Sequence, residues 1–157
     1  MRVALGSDHA GITLKNELKR AFDTETSDGA SFHTCIDVGT HTEESVDYPD
    51  FALQVAKGVA INTYDRGILV CGSGIGMSIA ANKVAGVRAA LIHDVDSARL
   101  CREHNDANVL ALAGRTLDTD TALSIVKVFL ETSFEGGRHQ RRVDRITDIE
   151  QQAEGRT

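Results

Sequence analysis

The 157-residue sequence predicts an α/β fold: a doubly wound, five-stranded parallel sheet with helices on both faces and one further C-terminal helix. Three observations predict it. Short apolar runs alternate with amphipathic helical stretches almost without interruption, the pattern of βαβ units and therefore of parallel strands. The length suits one domain with a real core and is short for two. Finally, no internal repeat, low-complexity tract or linker divides the chain.

Val3–Gly6 reads as the first strand. A helix from about Ile12 to Phe22 follows, because Leu14, Leu18, Ala21 and Phe22 fall on one face. The polar, glycine-containing stretch Thr24–Ser31 is assigned to a loop leading to a second strand near Phe32–Val38. Asp47-Tyr48-Pro49 opens a helix carrying Phe51, Val55, Ala56 and Val59, with Pro49 suited to its first turn. Arg66–Cys71 is the third strand and Gly76–Val84 the helix after a glycine turn. Val87–Ile92 is the fourth strand, followed by a helix over Asp96–Glu103 capped by Asp96 or Ser97. Val109–Ala113 and Thr119–Glu131 form the last strand and its helix. After Gly136-Gly137 comes a polar helix, Arg138–Gln152, with Val143, Ile146 and Ile149 along one side. Residues 1–152 thus read as a single Rossmann-like domain and 153–157 as a frayed tail.

Composition narrows the function classes. With 41% apolar and 25% charged residues the chain is globular rather than disordered. No apolar run approaches the roughly 20 residues of a membrane helix. The N-terminus enters a strand directly, without the apolar core and cleavage site of a signal peptide. Cys35, Cys71 and Cys101 form neither a disulfide framework nor a C-x-x-C pair, which suits a reducing cytoplasm. A net charge of −6 argues against nucleic acid, and 4% aromatics leave no base-stacking surface. Positive charge nevertheless crowds into Arg138, His139, Arg141, Arg142 and Arg145. That segment is too small for a duplex and well suited to one phosphate group.

In open parallel sheets, ligands bind beyond the carboxyl ends of the strands. Asp8 and His9 follow the first strand, Cys71 and its glycines the third, and His93 and Asp94 the fourth. The run VCGSGIGMSIAANK, Val70–Lys83, places Cys71 at a strand end, before a glycine turn and a helix start. Glycine allows sharp turning and close approach of amide N–H groups, and a helix N-terminus favours anions. Such a setting lowers a thiol pKa from about 8.5 into roughly the 3.5–7.5 range, giving a nucleophile or a general base. Cys35 and Cys101 lack that setting and read as packing residues. Gly72, Gly74 and Gly76 give G-x-G-x-G, whereas a dinucleotide fingerprint needs glycine where Met77 stands and follows the first strand. Asp94 does lie near the ribose-binding distance, so that match is partial. No G-x-x-x-x-G-K-[ST] occurs, and an oxyanion nest explains the turn at least as well.

Arg138 and Arg142, four apart, share a helix face and form a candidate phosphate clamp. Asp8-His9 reads as a ligand pair or as an ordinary helix cap. His104 sits at a helix end, where histidine often only complements the dipole. The six histidines show no metal-ligand spacing, so the expected site uses neither metal nor cofactor.

Five motifs, SDHAG (Ser7–Gly11), DYP (Asp47–Pro49), CGSGIGMSIAANK (Cys71–Lys83), HND (His104–Asp106) and GGRHQRR (Gly136–Arg142), occur in order along nearly the whole chain. Together they resemble ribose-5-phosphate isomerase of type B, and the related galactose-6-phosphate isomerase subunits share the scaffold. The resemblance implies a cofactor-free, metal-free interconversion of ribose 5-phosphate and ribulose 5-phosphate through an enediolate. It implies Cys71 as the base between carbons 2 and 1. Another branch of the family uses glutamate at the position of Met77, so this chain looks like the thiol branch. His104 matches the ring-opening acid/base, assisted by Asp8. Gly72, Ser73, Gly74, Ile75 and Gly76 match the loop that holds the enediolate oxygens, with Asn105 nearby, and His9, Arg115, Arg138 and Arg142 match the phosphate ligands. Family members are homodimers or tetramers, and the resemblance implies that His104, Asn105 and Arg115 enter from the neighbouring subunit. Two alternatives accompany this reading. One is an isomerase of a six-carbon sugar phosphate such as allose or galactose 6-phosphate. The other is a non-catalytic regulator that binds a sugar phosphate or nucleotide.

Overall fold

The computed structural model describes residues 1–27 and 33–154. Its elements run β1 (Arg2–Ser7), α1 (Ile12–Ser27), β2 (Thr34–Asp37), α2 (Tyr48–Ala60), β3 (Arg66–Cys71), α3 (Ile75–Ala81), β4 (Ala89–Leu91), α4 (Val95–Asn105), β5 (Val109–Ala113), α5 (Thr119–Glu131) and α6 (Arg138–Glu154). The five strands form one sheet in the order β2-β1-β3-β5-β4, every pair parallel. This is the doubly wound α/β architecture expected from the alternating pattern.

Both sheet faces are covered, and the strands show it residue by residue. Val3, Leu5, Ile68, Val70, Leu110 and Leu112 pack into one core with Leu14, Leu18 and Phe22 of α1, Ala98 of α4 and Ile125 and Phe129 of α5. Their alternate neighbours Ala4, Leu69, Cys71 and Val109 face the opposite core, with Val55 and Val59 of α2 and Met77 and Ala81 of α3. The period of two puts Cys71 on the α2/α3 face. Met77 is fully buried there.

The order of strands reverses between β1 and β3, whose carboxyl ends flank the crevice where ligands of such sheets bind. Asp8 N–H donates to Val70 O at 3.3 Å, tying the two strand exits together. A Cβ on Gly11 would stand 2.3 Å from Val70 O, so only glycine lets the start of α1 lie this close to β3.

Several boundaries differ from those expected. Helix α1 runs on to Ser27, taking in the first part of the stretch assigned to a loop. The Lys19–Asp23 ion pair and the Thr24 Oγ1–Arg20 O bond support that extra turn. The rest of the Thr24–Ser31 loop, and Phe32 at the start of the expected second strand, lie outside the described residues. Helix α3 ends at Ala81 rather than Val84 because Asn82 turns out of it. The Asn82 side chain donates to Ala89 O and accepts from Ala89 N. Strand β4 is three residues long, since Arg88 N–H donates to the Asn108 side chain instead of a strand partner. Helix α4 starts at Val95, capped by Asp94 rather than Asp96 or Ser97. Asp94 accepts from Ser97 N at 2.7 Å and from Ser97 Oγ at 2.8 Å. In α6 only Val143 of the expected apolar side is buried, Ile149 being 66% exposed. The helix continues to Glu154, two residues beyond the expected end. Residues 155–157 of the expected tail lie outside the described residues. Among those described, no helix is long and apolar enough to cross a membrane.

Candidate active site

A cleft of about 600 Å³ opens at the carboxyl ends of β1, β3 and β5, lined in part by Asp8, His9, Tyr48, Cys71, Ser73 and Arg115. That volume lies within the range of small-molecule sites. Cys71, 5% exposed, ends β3 at its floor. Gly74 N–H donates to Cys71 Sγ at 3.1 Å, so a backbone amide of the turn faces the sulfur. Gly74 achieves this in the left-handed region, φ 73°, and a Cβ there would meet Leu91 Cδ1 at 2.5 Å. Ser73 Oγ accepts from Ile75 N at 3.3 Å, leaving its hydrogen to point elsewhere. Helix α3 has only seven residues, so the amides of the turn, rather than a long helix dipole, carry the local positive potential.

Asp8 and His9 do more than cap α1. Asp8 is 6% exposed and its Oδ1 accepts from Gly11 N at 3.0 Å, which shapes the turn into the helix. His9 Nδ1 accepts from Val46 N at 3.2 Å. In the neutral ring this places the hydrogen on Nε2, leaving His9 as a donor on its other side. The segment preceding Asp47-Tyr48-Pro49 is thereby fastened to the first strand exit. That segment is anchored in turn by Lys15, fully buried, whose Nζ lies 2.5 Å from Asp37 Oδ2, while Asp37 Oδ1 accepts from Gly39 N.

Arg115 sits in this cleft. Its guanidinium lies 3.3 Å from where a Cβ on Gly72 would stand. The resemblance implied Arg115 from the neighbouring subunit, whereas within one chain it already lines this cleft. It follows β5 directly, and β5 is the strand next to β3.

The remaining expected residues form a second cluster at the other edge of the sheet. Helix α4 leaves the carboxyl end of β4 and returns to the amino end of β5, so its last residues, His104 and Asn105, lie beyond the far ends of the strands. Five residues of β5 alone span about 17 Å. His139, in the first turn of α6, stacks on His104 with centroids 4.2 Å apart and planes 5° from parallel. Arg138 and Arg142 belong to that same exposed start of α6. Arg138 Nε donates to His139 Nε2 at 3.3 Å. Burial, and then the charges of His104 and Arg138, hold His139 below the ordinary histidine range. One chain therefore brings Asp8, His9, the Cys71–Gly76 turn and Arg115 together, and separately His104, Asn105, Arg138 and Arg142.

Among the described residues, His104, Glu135 and His139 form one group of potential metal ligands, their ligand atoms within 4.8 Å of one another. Parallel stacked rings aim their in-plane lone pairs side by side rather than at a shared point, and Arg138 occupies His139 Nε2. That donor set does not fit a resident ion. The partial dinucleotide pattern also loses its acidic residue, because Asp94 is spent on capping α4. The Ser97 amide and hydroxyl hold its carboxyl below the usual range. Burial pushes the other thiols up, Cys35 to about 12 and Cys101 to about 11, in keeping with packing roles.

Sequence reasoning gave no role to Tyr48, whose ring lies against Gly76. A Cβ there would be 2.6 Å from Tyr48 Cζ. Its place in the Asp47-Tyr48-Pro49 motif, beside the proline that starts α2, is the sequence signal for that placement. Nor did it find the Val46 amide that fastens His9, a backbone contact with no side-chain signature.

The fold and cleft define a doubly wound α/β protein with a thiol and anion-accepting amides at its switch point. A family model described as Ribose/Galactose Isomerase matches residues 3–146, and the chain belongs to that family. Ribose-5-phosphate isomerase B of Escherichia coli K12 is 46% identical over 150 residues, 96% of this chain and 97% of that one. The structure of Clostridium thermocellum ribose-5-phosphate isomerase B matches with a TM-score of 0.92 at 48% identity, covering 98% and 99% of the two chains. Ribose-5-phosphate isomerase B of Mycoplasma genitalium, solved with bound ribulose-5-phosphate, matches at 0.88 and 42% identity, covering 96% of each.

Proposed function

We propose that this protein interconverts ribose 5-phosphate and ribulose 5-phosphate by proton transfer between protein groups and substrate, with neither metal nor organic cofactor. The observation that carries the reading is Cys71 Sγ at the floor of the cleft, accepting from Gly74 N–H at 3.1 Å. An aldose–ketose shift needs a base beside carbon 2, donors for the two oxygens that gain charge, and an anchor for the phosphate. Cys71 as thiolate removes the carbon-2 proton and returns it to carbon 1. The turn of Gly72, Ser73, Gly74, Ile75 and Gly76 surrounds the enediolate oxygens, with the Ser73 hydroxyl placed to pass a proton between them. Positioned proton transfer is worth about 100- to 10,000-fold, or roughly 3–5 kcal/mol of barrier. His9 and Arg115 meet the phosphate from this chain. The five-carbon substrate is the reading favoured over a six-carbon one, because the relatives are named for ribose 5-phosphate.

Ring opening falls to His104, with Asp8 and Asn105 beside the sugar, and Arg138 and Arg142 complete the phosphate anchor. His104 and Cys71 occupy opposite sheet edges of one chain, so a second copy supplies the missing half, and the working form is a homo-oligomer. The three free cysteines suit a reducing cytoplasm.

Complementation tests both parts. Cys71→Ala and His104→Ala chains each lose turnover of ribose 5-phosphate by about 10²–10⁴. Co-expressed, half of randomly paired dimers are mixed and carry one intact site of two, restoring about a quarter of the wild-type rate. Mixed preparations as inactive as either parent refute the shared site, and a Cys71→Ala chain of wild-type rate refutes the base.

A further inference from the structure

Asp106, the last residue of the His104-Asn105-Asp106 run, has no part in the chemistry above. It caps α4 in the left-handed region, φ 47°, a conformation that Asp adopts more readily than most residues. Its carboxylate is shared between two arginines. Oδ2 accepts from Arg88 Nη2 at 3.0 Å, and Oδ1 accepts from Arg102 Nη1 at 2.8 Å.

Both arginines extend the grip along the last turn. Arg88 Nη2 donates to Asp106 O at 2.9 Å, and its Nε to Asn105 O at 3.0 Å. These are carbonyls that a helix C-terminus leaves without an intrahelical partner. Arg102, 2% exposed, lies over the Phe129 ring and donates to Ala107 O and Thr132 O. Glu135 N–H, from the segment leading to α6, donates to Glu103 O. One carboxylate thus holds two guanidiniums around the backbone that carries His104 and Asn105.

We propose that Asp106 is a positioning residue for ring opening: with Arg88 and Arg102 it fixes the end of α4 and so the aim of His104. The inference rests on the reading of His104 as the ring-opening group. The Asp106 side chain is itself 34% exposed, so its removal leaves the core intact while freeing the helix end.

The test exploits the difference between the two substrates. Ribose 5-phosphate is a closed ring and must open before proton transfer. Ribulose 5-phosphate cannot close a five-membered ring, because its terminal hydroxyl is esterified. Exchange of its carbon-1 hydrogen with deuterium oxide, followed by NMR, therefore reports proton transfer without ring opening. For Asp106→Asn, turnover of ribose 5-phosphate is expected to fall about tenfold to a hundredfold, the cost of misplacing a group by about 1 Å. Ribulose 5-phosphate exchange stays within about twofold of wild type. Asp106→Gly, which keeps the backbone conformation without the carboxylate, should show the same split if Asp106→Asn folds poorly.

His104→Ala serves as the reference. If it shows the split and neither Asp106 variant does, the positioning role is wrong while the reading of His104 stands. Equal loss of both reactions in the Asp106 variants, or loss of neither, overturns the proposal. If His104→Ala itself shows no split, the ring-opening reading fails and takes the proposal with it.

Discussion

Gly74→Ala is the sharpest test of the cleft, because its cost divides into two parts that a second glycine separates. Gly74 has φ 73°, and a Cβ there would stand 2.5 Å from Leu91 Cδ1 and 3.0 Å from the carbonyl carbon and oxygen of Leu112. Gly86 has φ 79° and nothing within 4 Å of a Cβ, so Gly86→Ala measures the backbone penalty alone, about 1–2 kcal/mol. At Gly74 the Leu91 methyl can swing aside, but the Leu112 peptide is held in β5, which adds about 1–3 kcal/mol of overpacking. The sum is about 2–5 kcal/mol. At about 2–4 °C per kcal/mol, Tm falls by on the order of 4–20 °C, against about 2–8 °C for Gly86→Ala. The peptide pushed out of place also carries the N–H that meets Cys71 Sγ, so turnover of ribose 5-phosphate should fall about 10²–10³-fold. Thermal unfolding by circular dichroism and a coupled ribulose 5-phosphate assay read the two effects. Equal losses of Tm in the two variants, or wild-type turnover in Gly74→Ala, would refute the account of the turn.

Three further outcomes are expected. Because Val46 N–H fixes the donor of neutral His9 on Nε2, His9→Gln, whose amide reaches that position, should raise KM far less than His9→Asn. The latter should lose a hydrogen bond to a charged group worth about 1.5–3 kcal/mol, about 10- to 150-fold in KM, and equal effects in steady-state kinetics would exclude the tautomer. Lys15→Met removes the buried partner of Asp37 and should cost about 3–5 kcal/mol in urea unfolding. A loss below about 1 kcal/mol would show that the pair does not hold the loop after β2. Finally, burial raises Cys35 and Cys101 to about 12 and about 11. Above about pH 9 the unfolded chain therefore gives up thiol protons that the folded chain keeps, and stability declines as pH rises toward 11. The Cys35→Ala/Cys101→Ala protein should show a shallower decline between pH 9 and 11; an unchanged slope would count against buried neutral thiols.

Much of this architecture is legible in the sequence because its signals are local. Alternation along Val3–Ser7, Arg66–Cys71 and Val109–Ala113 records which side chains face which helix layer, and burial follows it residue by residue. The glycine turn is legible for the same reason, since Gly74 must be glycine for its own φ. What escaped notice depends on partners far along the chain. Asn82 ends α3 by bonding to β4, a contact that nothing within three residues announces. Lys15 reads as one more polar position on α1, yet is fully buried because Asp37 waits 22 residues on. Asp106 reads as the tail of a motif until Arg88 and Arg102 close on it from different elements. Arg115 was expected from a second subunit, although β5 lies beside β3 and delivers it to the cleft of its own chain.

The start of α6 breaks a local rule in a way that favours the shared site. A helix N-terminus carries positive potential and favours acidic residues, yet the first turn of α6 holds none and begins with Arg138, followed by Arg141 and Arg142. All three are exposed, and among the described residues no carboxylate lies within ion-pair distance of them. Left alone, this arrangement sets like charges against each other and against the helix dipole. Sequences that fold well usually avoid such conflicts except where function requires them. A phosphate dianion would resolve this one, by accepting from the guanidiniums while occupying the favoured end of the helix. Burying the same arginines in the chain's own core would cost several kcal/mol each in desolvation. Holding them on the surface, at the edge remote from Cys71, keeps them hydrated and is the arrangement that the proposed shared site requires.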